Sequence, residues 1–193
     1  MAIANRLMGP LAQTNHFLVT LSSLTPEVET YIQQYSDASD FRRFLAERGG
    51  ILCSDASLPT TTYATAEVKD NFMGIPQQYA HTRIYTDIDF TFYVDEDYTS
   101  LSIFEGWMDY ISAGADIDIN EQAFYRRFKY PDDYKCNTMT ITKFEKNIER
   151  TLMYEFKNAF PKSITSLPVT YGTADLMKVT VSFNYDRYIV TRS

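Results

Sequence analysis

Residues 84–94, IYTDIDFTFYV, carry the clearest period-two signal in the chain. Ile84, Ile88, Phe90, Phe92 and Val94 point one way, while Tyr85, Asp87, Asp89 and Thr91 point the other. Strict alternation of this kind marks a strand with one face on a core and one in water. Near the C-terminus Met177, Val179, Val181, Phe183 and Tyr185 share a face, opposite Lys178, Thr180, Ser182 and Asn184. HFLVTLSS (16–23) alternates through Phe17, Val19 and Leu21, and ILCSDASLP (51–59) reads as a strand closed by proline. CNTMTITKFE (136–145) and TLMYEFKNAF (151–160) complete the set, with Pro161 and Pro168 bracketing a short extended connection.

Between them, residues 60–85 read as the two arms of a long hairpin. On its first arm Ala64, Ala66 and Val68 form a small apolar face that should pack, and Thr65, Glu67 and Lys69 form a polar one. The tip, in VKDNFMGIPQQY (68–79), is Phe72-Met73-Gly74 followed by Ile75-Pro76. Glycine tolerates positive φ and proline presets a turn, so the chain reverses here. Hairpin tips normally face water, yet this one carries three large apolar side chains.

Helical signals are fewer. Thr25-Pro26-Glu27 has a hydroxyl cap, proline at the first helical position and acids in the first turn. A second short helix should follow Asp40 (FRRFLAER) and stop at Gly49-Gly50. After the capping-rich turn 95–100, Leu101, Phe104, Trp107, Met108 and Ile111 fall at helical spacing until Gly114, a one-sided stripe that should lie on a sheet. The expected fold is mainly β, an antiparallel sandwich or barrel of about seven or eight strands with one flanking helix. It occupies a single domain, 1–193, with a helical insertion at 24–49.

Composition narrows the function. The chain has 193 residues, 15% aromatic, with 15 Tyr and 13 Phe, which favours β structure with broad contact surfaces. A net charge of −7 argues against gripping nucleic acid, whose phosphates are held by Lys and Arg. The basic pairs Arg42-Arg43 and Arg126-Arg127 form no stripe. Cys53 and Cys136 are expected as buried small apolar residues. With no signal peptide or membrane-spanning run visible, the chain is expected to fold in a reducing cytoplasm.

Reactive constellations are not evident. His16 and His81, the only histidines, lack neighbouring ligands at metal spacing. Asp95-Glu96-Asp97 reads as capping acids, Asp116, Asp118, Asp132 and Asp133 as solvated loop acids, and Asp87 with Asp89 as the wet face of a sheet. There is no glycine-rich phosphate loop and no GxSxG. No cofactor, metal site or catalytic residue is expected. A single-strand nucleic-acid-binding β-barrel would need rings interleaved with Lys and Arg on one face, whereas most rings here lie on apolar faces.

In order along the chain, HFLVTLSS, ILCSDASLP, VKDNFMG, DFTFYVDEDYTSLSIFEGWMDYISAG, FYRRFKYPDDY and FPKSITSLPVTYGTADLMKVTVSFNYDRYIV resemble the tail tube proteins of contractile-tailed bacteriophages (myoviruses). These are similar in fold to the type VI secretion tube protein. The longer loops resemble those of T-even-like phages of marine cyanobacteria. The resemblance implies a homo-hexameric ring, stacked into a tube inside a contractile sheath, with baseplate and neck proteins at its ends. It implies a virion protein, not an enzyme, that genomic DNA passes through without specific binding and that inserts into no membrane. It leaves tube-initiator or tube-capping proteins of the same fold as an alternative. Simpler members turn tightly where this chain has its insertion. An axial contact between rings through Phe72, Met73, Gly74 and Ile75, and a lumen lined by Thr65, Glu67 and Lys69, are then the expected sites.

Overall fold

The computed structural model describes residues 14–22, 24–34, 38–45, 49–69, 74–112, 128–144, 151–165, 169, 171–172 and 175–192. Strand β1 (Phe17–Leu21) is followed by helices α1 (Pro26–Ile32), α2 (Ala38–Arg43) and α3 (Gly49–Leu52). Strands β2 (Cys53–Ala56), β3 (Thr61–Val68), β4 (Gln77–Tyr85) and β5 (Ile88–Tyr93) lead into helix α4 (Thr99–Ile111). A single turn, α5 (Pro131–Tyr134), precedes β6 (Cys136–Phe144), β7 (Thr151–Ile164), β8 (Lys178–Asn184) and β9 (Arg187–Arg192).

The architecture is mainly antiparallel β. Seven strands form one sheet in the order β1-β6-β7-β8-β5-β2, with β9 added to β7. The organiser is β7, 14 residues long. Its first part pairs β6 on one side, through Ala159, and β9 on the other, through Lys157. From Phe160 onward it pairs β8 instead. The handover falls at Asn158, whose φ of 57° is left-handed and bends the strand out of one layer into the next. The sheet curls until its end strands β1 and β2 approach each other.

Alternation fills the inside. Ile88, Phe90 and Phe92 of β5, Val179, Val181 and Phe183 of β8, Met139 and Ile141 of β6 and Phe156 of β7 are all buried. Helix α4 closes this core, with the Phe104 ring 5.0 Å from Phe92 and 5.9 Å from Phe183, and Trp107 6.1 Å from Phe183. The Trp107 indole donates to the Tyr134 carbonyl at 2.8 Å, tying α5 to α4. Of the expected stripe, Phe104 and Trp107 are buried together with Ile103 and Tyr110, while Leu101, Met108 and Ile111 are half-buried. The helix is rotated because it sits in the curve of the sheet, where 103, 104, 107 and 110 face inward. Asp95 Oδ1 accepts the Thr99 amide at 2.8 Å, the capping role expected of an acid before a helix.

Several sequence expectations are corrected. The alternation of 84–94 is two strands: Ile84 near the end of β4 is exposed, Tyr85 at its end turns toward the body, and the buried set starts at Ile88. The run 177–190 likewise divides into β8 and β9, so the described residues hold nine strands where about seven or eight were expected. Pro161 does not end β7; it lies opposite Phe183, with a register shift before Ser163 that absorbs the missing amide. Gly49 and Gly50 begin α3 and do not stop α2, so the expected strand 51–59 shortens to β2. Glycine is required there by close approach: a Cβ on Gly50 would lie 2.9 Å from the Val19 carbonyl oxygen, and one on Gly49 2.9 Å from the Phe44 carbonyl oxygen. The Thr25 hydroxyl does not cap α1; it donates to the Asp133 carbonyl at 2.5 Å, joining α1 to α5.

The insertion is not a surface ornament. Val28, Ile32, Phe41 and Phe44 are fully buried in the same core, with the Phe44 ring tilted against Phe92 and edge-on to Phe104.

A candidate assembly surface: the open ribbon

Strands β3 and β4 form a two-stranded sheet of their own, outside the hydrogen-bonded path of the other seven. Their register runs from Thr61 opposite Tyr85 to Val68 opposite Gln77, with one bulge that leaves His81 extra between the pairs Ala64–Thr82 and Thr65–Ala80. Eight residues of strand extend roughly 26 Å. Nearly every residue of the ribbon is exposed, on both faces. The expected packed face of Ala64, Ala66 and Val68 is therefore open: only Ala64 is half-buried. Thr65, Glu67 and Lys69 share the opposite face, all exposed, with Lys69 Nζ 3.6 Å from Glu67 Oε2.

Large apolar and aromatic groups stand on this ribbon without cover: Tyr63, Val68, Tyr79 and Ile84, with Ile75 at the tip 86% exposed. Gly74 is exposed too, whereas Phe72 and Met73 lie outside the described residues. An isolated two-stranded sheet with no buried face is marginal in water. Its free edges and rings suit it to adding strands from another chain.

At its base the ribbon is tied to the body. The Thr60 and Thr86 hydroxyls share a hydrogen bond at 2.7 Å, as do Thr61 Oγ1 and Tyr188 Oη at 2.6 Å. Tyr85 packs edge-on against Tyr188 at 5.5 Å. This tyrosine-rich base was not singled out in the sequence; the tyrosine count was its only signal. Beside it, the outer face of β5 and β8 carries a polar ladder. Asp87 accepts from Lys162 at 2.5 Å and from Asn184 at 2.8 Å, and these bonds hold its carboxyl below the usual 3.8. Ser182 donates to Asp89, and Thr91 and Thr180 share a hydrogen bond at 2.9 Å. Asp87 and Asp89 are thus tied into the sheet, each with its own partners.

Among the described residues no group of three or more His, Cys, Asp or Glu is placed to hold a metal ion. No described helix is long and apolar enough to cross a membrane. His16 stacks on Phe144 at 6.1 Å and His81 lies on the ribbon. Both cysteines are free and buried, and burial pushes the Cys53 thiol up to about 12. Asp116, Asp118, Arg126 and Arg127 lie outside the described residues.

The chain is similar to the sheath/tube terminator of an extracellular contractile injection system (PVC, extended state), with 16% identity, a TM-score of 0.61, and 95% of this chain and 99% of that one covered. It is similar also to a chain of the PVC sheath-tube complex, with 17% identity, a TM-score of 0.58, and 99% and 97% covered. The tube-terminating cap of the anti-feeding prophage gives 15% identity and a TM-score of 0.53, with both chains wholly covered. Residues 12–191 match the family described as phage tail tube protein, and the chain belongs to that family. No curated protein matches it in sequence.

Proposed function

We propose that this chain is a structural subunit that closes into hexameric rings, stacked into the inner tube of a contractile phage tail through which the genome is delivered. The observation that carries this reading is the open ribbon: both faces and both edges are exposed, and apolar groups stand on it uncovered. Such a surface is completed by neighbouring copies, whose strands pair its edges and bury its rings. In this reading the tip residues Phe72, Met73, Gly74 and Ile75 dock on the next ring, and Thr65, Glu67 and Lys69 line the channel. Each subunit brings a net charge of −7, multiplied six-fold in a ring, so the walls do not hold DNA phosphates as it slides past. The sheath lies outside the tube, baseplate and neck proteins meet its ends, and the subunit resides in the virion after assembly in the host cytoplasm. It works without cofactor or catalysis.

A second reading, a terminator or cap of the same fold, is favoured by the likeness to the PVC sheath/tube terminator. Electron microscopy of the purified protein at high concentration separates the two. Stacked rings growing into long tubes support the main subunit. Single rings that bind tube ends but never stack support the terminator. Dispersed monomers with salt-sensitive oligonucleotide binding would overturn both in favour of a nucleic-acid-binding barrel.

A further inference from the structure

The ribbon is seated on a cluster of rings. Arg83 lies against two of them, its guanidinium carbon 5.0 Å from the Tyr85 ring centre and 5.5 Å from that of Tyr188, which are themselves 5.5 Å apart. Its Nη2 donates to Thr61 Oγ1 at 3.3 Å and to Tyr188 Oη at 3.4 Å. A planar guanidinium held this way by stacking and by two acceptors fixes an angle, which a lysine does not. Behind it Tyr185 packs on Phe156 at 4.9 Å and on Tyr85 at 6.0 Å. Tyr185 is only 5% exposed, and its hydroxyl, fully buried, has no hydrogen-bond partner among the described residues. A buried phenol ordinarily finds a partner, and leaving one without is unfavourable. Burial also raises the Tyr185 phenol to about 12, so it stays a neutral donor.

We propose that this seat is an articulation set in a tense position. In the free subunit Arg83 holds the ribbon at an angle that strands the Tyr185 hydroxyl. When a second copy of the chain takes up the ribbon's edge, the ribbon turns about the Thr60–Thr86 pair and the hydroxyl gains an acceptor. Part of the drive for assembly is thus stored in the unassembled subunit, and Arg83 and Tyr185 are positioning residues for ring formation. This inference rests on the tube reading above.

Two variants of the full chain with opposite expected signs test it. Tyr185→Phe keeps the ring and removes only the stranded hydroxyl. Its free subunit should melt a few degrees higher. Its critical concentration for tube assembly, read by sedimentation and microscopy, should rise roughly ten-fold, because the bond gained on assembly is gone. Arg83→Lys releases the angle: amides of 61–68 and 77–85 should exchange faster in the free subunit, and the lag before assembly should shorten. A Tyr185→Phe subunit that melts lower and assembles at the wild-type concentration would overturn the articulation, as would two variants that slow assembly alike. Wild-type chains that never form rings would overturn the tube reading and this inference with it.

Discussion

Asn158 stands exposed at φ 57°, in mid-strand, and donates through Nδ2 to Asp186 Oδ2 at 2.6 Å. Asparagine visits the left-handed region more readily than most residues, and a β-branched residue there is strained. Asn158→Val should therefore destabilise the fold by about 1–3 kcal/mol, while Asn158→Gly, which keeps the bend, should lose less. Urea denaturation of the two variants checks the ranking; equal losses would show that the bend needs no special residue. Asp87 supplies a pH signature. The hydrogen bond from Lys162, then burial opposing it, then the bond from Asn184, leave its folded pKa below the unfolded value. A carboxylate shifted down stabilises the fold above its unfolded pKa and loses that contribution as pH falls through the folded one. Asp87→Asn should accordingly unfold more easily than wild type at pH 7, with the gap narrowing below 3.8 and closing at still lower pH. Denaturation at a series of pH values reads this directly.

Among the elements, regular alternation was the legible part. The buried sets of β5, β8 and β6 follow from the spacing of Ile88, Phe90 and Phe92, of Val179, Val181 and Phe183, and of Met139 and Ile141. Breaks in alternation were not legible, because two irregular residues at Thr86-Asp87 look like strand when both flanks are apolar. The effect of Pro161 is not legible in the sequence, since it depends on which neighbour would have taken its amide, a tertiary fact. The ribbon's existence could be read from its turn residues, but not its openness: small alternating residues suit a packed face and an unpartnered one equally. That openness yields two predictions. Phe72→Ser with Met73→Ser removes apolar anchors from the tip, so the monomer's thermal unfolding should stay nearly unchanged while tube growth stops. A destabilised monomer that still polymerises would mean the tip packs on its own subunit. Glu67→Cys in an otherwise cysteine-free chain should react readily in free subunits, and in tubes only with reagents small enough to enter the channel. Equal reaction with bulky reagents in both forms would place that face outside.

Over the whole molecule, the insertion 24–49 shows how a local reading falls short. Its helices were expected as an addition at a turn, yet Phe41 and Phe44 sit in the centre of the core, and Tyr31 Oη donates to Asp109 of α4 at 2.6 Å. No period within 24–49 announces this, because the partners come from β5 and α4, far along the chain. The placement of the two thiols has a consequence of its own. Cys53 lies on β2 beside the helical layer, and Cys136 opens β6 with its sulfur 3.2 Å from Ser22 Oγ; burial pushes both thiols above their ordinary range. Neither meets a bulky alkylating agent until its part of the sheet separates. The native chain thus carries two clocks, one on the end strand β2 and one on β6, the neighbour of the other end strand β1. Mass spectrometry of alkylated peptides should find both modified at one rate if the sheet opens as a unit, and at two rates if one end frays first. In assembled tubes both clocks should slow.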